Sequence, residues 1–89
     1  MPFFVYILFS EKKDRFYVGQ SDNIEERIIS HNSGKSPYTS ITNDWILVYT
    51  EEYGTRTEAR KRESAIKKKK SRKYIQWLIE QRAGNNFTK

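Results

Sequence analysis

The sequence predicts an α+β domain: a three-stranded antiparallel sheet flanked by three helices, in the order β-β-α-β-α-α. Three observations carry that prediction. An apolar run near the N-terminus is hydrophobic on both faces, as a central strand must be. A short polar break separates it from a second strand-like run, which makes a hairpin the natural reading. After Gly54, the chain changes to helical periodicity with capping residues at the start of each segment.

In order along the chain, Phe3, Val5, Ile7 and Phe9 share one face of the first strand, and Phe4, Tyr6 and Leu8 the other. Ser10 to Asp14 is a polar turn, and residues 15–19 form the second strand. With an even loop of residues 11–14, Ser10 faces Arg15, Leu8 faces Tyr17 and Tyr6 faces Gly19. Ser21 or Asp22 is the expected cap of a first helix that runs to about His31 or Asn32. Gly34 suits a left-handed turn after it. Residues 33–44 form a loop rich in Ser, Thr, Asn and Pro, long enough to point to a functional or mobile segment. Residues 45–53 make the third strand. Thr55 and Glu58 have capping-box spacing for a helix to about residue 70. Ser71 caps a third helix, 72–82, with Ile75, Leu78 and Ile79 on its apolar stripe. Ala83-Gly84-Asn85-Asn86 is expected to end it, so residues 1–83 form one domain and 84–89 a frayed tail.

Bulk composition narrows the function. At 89 residues the chain makes one small domain, and its 6 Tyr, 5 Phe and 2 Trp supply large buried area per residue. The absence of cysteine excludes disulfides, thiolate metal sites and thiol catalysis. The N-terminal apolar run lacks a basic start and is far short of the ~20 residues of a membrane span, so a cytoplasmic chain with no membrane partner is expected. The net charge of +6 is uneven. Residues 56–73 hold ten Lys/Arg against two acids, whereas the remainder is −2. A basic segment on a near-neutral body is the footprint of a polyanion binder, although a charge run alone also describes a solvated helix face.

Three groups of residues are candidates for chemistry. On the predicted register, Tyr6 and Tyr17 are diagonal neighbours beside Gly19, whose missing side chain leaves room for a small polar pocket; tyrosine is also simply common in strands. Arg27 and His31 stand four residues apart at the edge of the helix stripe defined by Ile24 and Ile28, so both turn towards the sheet. Arginine suits a forked grip on phosphate, and the histidine is either catalytic or merely hydrogen-bonded. Glu63 is a lone acid within a basic helix. It either pairs with Lys67 one turn on or holds Mg²⁺ or Mn²⁺ together with substrate phosphate.

The ordered set Val5-Tyr6-Ile7, Tyr17-Val18-Gly19, Gly19 to Arg27, His31 to Gly34, Trp45 to Tyr49, Ala59 to Glu63 and Ile66-Lys67 resembles the GIY-YIG nucleases over roughly residues 3–80. It is closest to small stand-alone bacterial members. Val5 replaces the glycine and Val18 the isoleucine of the family name, and the asparagine that some members carry after the glutamate has no evident counterpart.

The resemblance implies an endonuclease that hydrolyses phosphodiester bonds with one divalent metal, on DNA in repair or recombination. It implies that Tyr6 orients or activates the attacking water, that Tyr17 stands near the nucleophile or the metal's water, and that Arg27 stabilises the transition state. Glu63 would be the metal ligand, His31 an acid–base or positioning group, and Lys67 a phosphate contact. The general base is then a tyrosine or His31. Arg60, Lys67, Lys68, Lys70, Arg72 and Lys73 are the expected nucleic-acid contacts; such contacts position the backbone, so weak sequence preference and steep salt dependence follow. Tyr38 and Trp45 are candidates for stacking on an unpaired base, with core packing the main job of Trp45. A binding module without turnover, or an adaptor in a larger complex, is the alternative.

Overall fold

The computed structural model describes residues 2–87. It contains β1 (Phe3–Ser10), β2 (Arg15–Ser21), α1 (Ile24–Asn32), β3 (Ile46–Tyr53), α2 (Arg56–Lys69) and α3 (Arg72–Phe87). This is the expected α+β order. The antiparallel sheet has the order β2-β1-β3, which puts the doubly apolar strand in the middle. Val5, Tyr6, Ile7 and Leu8 are fully buried as a result. On one face, Val5, Ile7 and Val18 pack with Ala59, Ile66 and Leu78 of α2 and α3. On the other, Tyr6 and Leu8 pack with Trp45, Tyr17 and the Ile24–Ile28 stripe of α1.

The hairpin register is the expected one, with Tyr6 opposite Gly19, Leu8 opposite Tyr17 and Ser10 opposite Arg15. The turn closes through Asp14 at φ 54°, a left-handed conformation that Asp tolerates. Arg72 holds this turn from the start of α3, bonding the Asp14 carbonyl at 2.8 Å and its carboxylate. Between β1 and β3 the register slips once, because Ile7 faces Tyr49 whereas Leu8 faces Leu47. Val48 is thus the extra residue of a bulge, which bends β3.

Several boundaries differ from the sequence expectation. The cap of α1 is Asn23, whose side chain accepts from the Glu26 amide at 3.1 Å. Ser21 still belongs to β2, and its hydroxyl instead organises the turn by accepting from the Asn23 amide at 3.0 Å. Trp45 lies just before β3 rather than in it, because its backbone is taken by Asn32: its amide donates to Asn32 Oδ1 and its carbonyl accepts from Nδ2. Helix α3 continues through Gly84 to Phe87, since one glycine weakens a helix by about 1 kcal/mol without ending it. Residues 88 and 89 of the expected tail lie outside the described residues.

Other local signals behave as expected. Thr55 caps α2 by accepting from the Glu58 amide, Ser71 accepts from the Tyr74 amide at the start of α3, and Gly34 has φ +80°. The 33–45 loop is tied down by Asp44, which accepts from the Ser10 and Thr42 hydroxyls at 2.6 Å each and from the Lys12 amide. Those three donors hold its carboxyl well below the ordinary range.

Helix α2 is fixed to the sheet by a polar hub on β3. Glu51 accepts from Arg62 Nε at 2.8 Å and Nη2 at 3.0 Å, from the Tyr53 hydroxyl at 2.6 Å, and from the Tyr49 hydroxyl. Arg62 Nη1 also donates to the Tyr74 hydroxyl at 3.3 Å, which joins α3 to the same hub.

Candidate active site at the edge of the sheet

Tyr6 sits on the central strand, yet its ring leans across Gly19 towards the free side of β2. A methyl group at residue 19 would lie 2.5 Å from the Tyr6 hydroxyl oxygen and 2.6 Å from Cζ. The space expected beside Gly19 is therefore filled by the phenol itself, and there is no open pocket there. Tyr6 is fully buried, so its hydroxyl does not meet solvent. That hydroxyl is 3.0 Å from Nε2 of His31, which is also fully buried. The other imidazole nitrogen, Nδ1, is 2.7 Å from the Thr39 hydroxyl. Thr39 is buried as well, and its carbonyl accepts from the Trp45 indole at 2.9 Å.

Helix α1 thus turns His31 inward, as its spacing from Ile24 and Ile28 predicts. Arg27, one turn earlier, is exposed but extends its guanidinium to the Tyr6 hydroxyl, a looser contact than the one with His31. Burial raises the Tyr6 pKa and outweighs the opposing hydrogen bond from Arg27. Tyr6 is therefore a neutral phenol at pH 7. Burial, reinforced by the positive charge of Arg27, lowers the His31 pKa, so the imidazole is neutral too.

Tyr17 lies over this pair. Its ring centroid is 4.7 Å from His31 and 6.3 Å from Tyr6, and the residue is only partly buried. Of the two phenols, Tyr17 is the one at the surface. From the other side of the sheet, α2 brings Glu63 and Lys67. Lys67 Nζ bonds Glu63 at 2.9 Å and stands 5.8 Å above the Tyr17 ring. The negative charge of Glu63 is felt at Tyr6, where it adds to the upward shift. Because β2 is an edge strand, groups from both faces of the sheet meet around it. Tyr6, Tyr17 and His31 are in mutual contact there, Arg27 reaches towards the Tyr6 hydroxyl from α1, and Glu63 is joined to Tyr17 through Lys67 on α2.

A groove of about 580 Å³ runs along this edge, lined by Tyr17, Tyr38, Lys67, Lys70 and Arg72 among others. Tyr38 is 82% exposed on its rim, whereas Trp45 is a core residue at 4%. Arg72 also stacks over Phe16, 5.0 Å from its ring centroid. Arg60, Lys68 and Lys73 are exposed but lie outside the lining of this groove.

The donor set bears on a metal. Among the described residues, no three His, Cys, Asp or Glu side chains cluster as a ready-made metal cage. Glu63 offers one carboxylate with 20% of its side chain exposed. One hard oxygen ligand fits Mg²⁺ or Mn²⁺ held jointly by protein, water and substrate phosphate, and does not fit an ion held by protein alone. Thr39 is the site residue that sequence reasoning missed. It lies in a Ser/Thr-rich loop with no periodicity, and only the chain path of residues 33–45 delivers it to His31. No helix among the described residues is long and apolar enough to cross a membrane.

Comparison with known proteins agrees with this geometry. The sequence profile of the GIY-YIG catalytic domain matches residues 2–75. A UPF0213 protein of Staphylococcus saprophyticus is 40% identical over 77 residues, covering 84% of this chain and 94% of the relative. One from Clostridium perfringens is 41% identical over 66 residues, covering 73% and 70% respectively. The solution NMR structure of the UPF0213 protein of Bacillus halodurans has a TM-score of 0.56 at 31% identity, covering 90% of this chain and 84% of that one. With the profile spanning most of its length and the paired tyrosine motifs on adjacent strands, the chain belongs to the GIY-YIG nuclease superfamily.

Proposed function

We propose that this protein is an endonuclease that hydrolyses phosphodiester bonds in nucleic acid, with DNA in a repair or recombination setting as the expected substrate and the cytoplasm as its place of action. One observation carries the reading: Tyr17, Arg27 and Glu63 surround the same edge of the sheet, above a buried Tyr6–His31 pair.

Hydrolysis adds negative charge to the phosphate oxygens in the transition state, and a site must supply positive charge there. Arg27 does so as a forked donor that stands beside the Tyr6 oxygen. Tyr17 holds the attacking water, since its phenol is at the surface and that of Tyr6 is not. Tyr6 and His31 act beneath it, setting the position of Arg27 and the packing of the Tyr17 ring. Glu63 would hold Mg²⁺ or Mn²⁺, which when bound supplies charge neutralisation at the phosphate and stabilises the leaving oxygen. Lys67 leaves Glu63 to meet the phosphate as substrate arrives, a small cost for an exposed pair one helical turn apart. Lys70 and Arg72 guide the backbone along the groove, with Arg60, Lys68 and Lys73 adding long-range attraction.

The test is cleavage of branched, nicked and single-stranded DNA and of RNA, with Mg²⁺ or Mn²⁺. Glu63→Gln and Arg27→Ala should each abolish cleavage while the circular dichroism spectrum and melting temperature stay near wild type. Two variants that cut like wild type would overturn the assignment. A second reading, nucleic-acid binding without turnover, draws on the enclosure of Tyr6 and the occupation of Glu63 by Lys67. Salt-sensitive binding with no cleavage in any divalent metal would favour it.

A further inference from the structure

We propose that Thr39 is a positioning residue: its hydroxyl holds His31 in the Nδ1-protonated tautomer, which leaves Nε2 as the acceptor for the Tyr6 hydroxyl. The argument is a count of donors and acceptors in a closed space. Tyr6, His31 and Thr39 are all 0% exposed, so none of them can borrow a hydrogen bond from bulk water. The neutral Tyr6 hydroxyl has one proton to place. Its polar neighbours are Arg27 and His31 Nε2. A guanidinium has donors only, so the phenol proton goes to Nε2. A neutral imidazole then carries its single proton on Nδ1, and that nitrogen lies 2.7 Å from Thr39 Oγ1.

The chain of hydrogen bonds therefore has one direction. Arg27 donates to Tyr6, Tyr6 donates to His31, and His31 donates to Thr39. Because the phenol proton points inward, the Tyr6 lone pairs face Arg27 and hold its guanidinium. In the opposite tautomer, Nε2–H would compete with Arg27 for those lone pairs and leave the buried phenol proton without an acceptor. Thr39 is itself fixed: its carbonyl accepts from Trp45 and its amide donates to the Ser36 carbonyl at 3.2 Å. The polar loop before β3 thus ends in a buried contact that orders the site from behind. Tyr17 touches the same imidazole with its ring and adds no competing hydrogen bond.

The chain has one histidine, so a long-range ¹H–¹⁵N correlation spectrum reports on His31 without assignment. At neutral pH, wild type and Thr39→Ser should both show a protonated Nδ1 and an unprotonated Nε2. Thr39→Val, which keeps the shape and removes the hydroxyl, should move the spectrum towards Nε2–H or a mixture. A wild-type spectrum of the Nε2–H form overturns the proposal, and so does a Thr39→Val spectrum identical to wild type. If the valine variant does not fold, wild type and serine still decide the tautomer. A second arm rests on the nuclease reading: Thr39→Val should lower kcat roughly 10–100-fold with KM little changed, by analogy with the outer-shell partners of metal-ligating histidines, and serine should restore it. A valine variant that cuts like wild type refutes the positioning role. If wild type itself cuts nothing, the nuclease reading fails, and the tautomer is decided by the spectrum alone.

Discussion

Gly19→Ala adds one carbon at the most crowded point of the candidate site. The new Cβ would stand 2.5 Å from the Tyr6 hydroxyl oxygen, 2.6 Å from Cζ and 3.0 Å from Cε2 of Tyr17. Ordinary contact needs about 3.5 Å, so the Tyr6 ring must retreat by roughly 1 Å. The far end of a side chain can often yield, but Tyr6 is rigid and fully enclosed. A 1 Å retreat would also displace the hydroxyl from His31, now at 3.0 Å. Overpacking costs about 1–3 kcal/mol, and loss of the hydrogen bond about 0.5–1.5 kcal/mol. Against this, alanine gains about 0.5–1 kcal/mol over glycine in a strand. The net is about 1–3 kcal/mol, and a domain of this size loses about 4–8 °C in Tm per kcal/mol. Thermal unfolding followed by circular dichroism should therefore show a fall on the order of 5–20 °C, with an altered His31 imidazole signal. Gly34→Ala is the control, since its cost comes from φ +80° with nothing within 4 Å of the new methyl, and the imidazole signal should stay unchanged. Gly19→Ala melting within about 1 °C of wild type, with His31 undisturbed, would refute the reasoning.

Tyr49 and Tyr53 donate to Glu51, and burial first, then that bonded carboxylate, pushes each phenol up to about 12. Both are protonated below pH 10 in the folded and unfolded chain alike, so their stabilisation is fully present there; it is lost as pH rises from about 10 to 12, where only the unfolded chain releases protons. The urea midpoint should fall across that window, and the Tyr49→Phe/Tyr53→Phe double variant should flatten the fall; an unchanged slope counts against the hub. Glu51 acts at the other end: burial raises its pKa, but the bonds from Arg62 and the two tyrosines outweigh this and lower it, so stability is also lost as pH falls below its ordinary range near 4.5. With Lys70 on a backbone phosphate in the groove, Lys70→Ala should reduce the slope of log K against log salt by about 1, and an unaltered slope places binding elsewhere.

The fold was legible because its signals are local. The doubly apolar β1, the even-numbered hairpin loop and the Thr55 and Ser71 caps each act within a few residues, and the register they imply is the one observed. The pairing of Tyr6 with Gly19, and the inward turn of His31, followed from strand and helix periods alone. What the sequence hid was how space is used. Nothing in the order of residues says that the gap beside Gly19 is filled by the Tyr6 ring, which makes that phenol an interior group. Nor does it say that Asn23 caps α1 while Ser21 and Asp22 stand nearer the strand, since all three are good caps and the end of β2 decides between them. Thr39 was beyond reach for a different reason: its partner is brought to it by an irregular loop that no period describes.

Arg62 and Glu63 are consecutive residues that face opposite edges of the sheet, one clamped to β3 and the other joined through Lys67 to the Tyr17 ring on β2. On a helix, one residue is a rotation of about 100°. The Arg62–Glu51 clamp therefore sets the phase of α2 like a key in a shaft, and the heading of Glu63 follows from it. Length between Gly54 and Arg62 is accordingly constrained more tightly than composition. A single residue inserted there would either break the clamp or swing the carboxylate out of the site, whereas exchanging the exposed Thr57, Arg60 or Lys61 of the same stretch leaves its bearing intact.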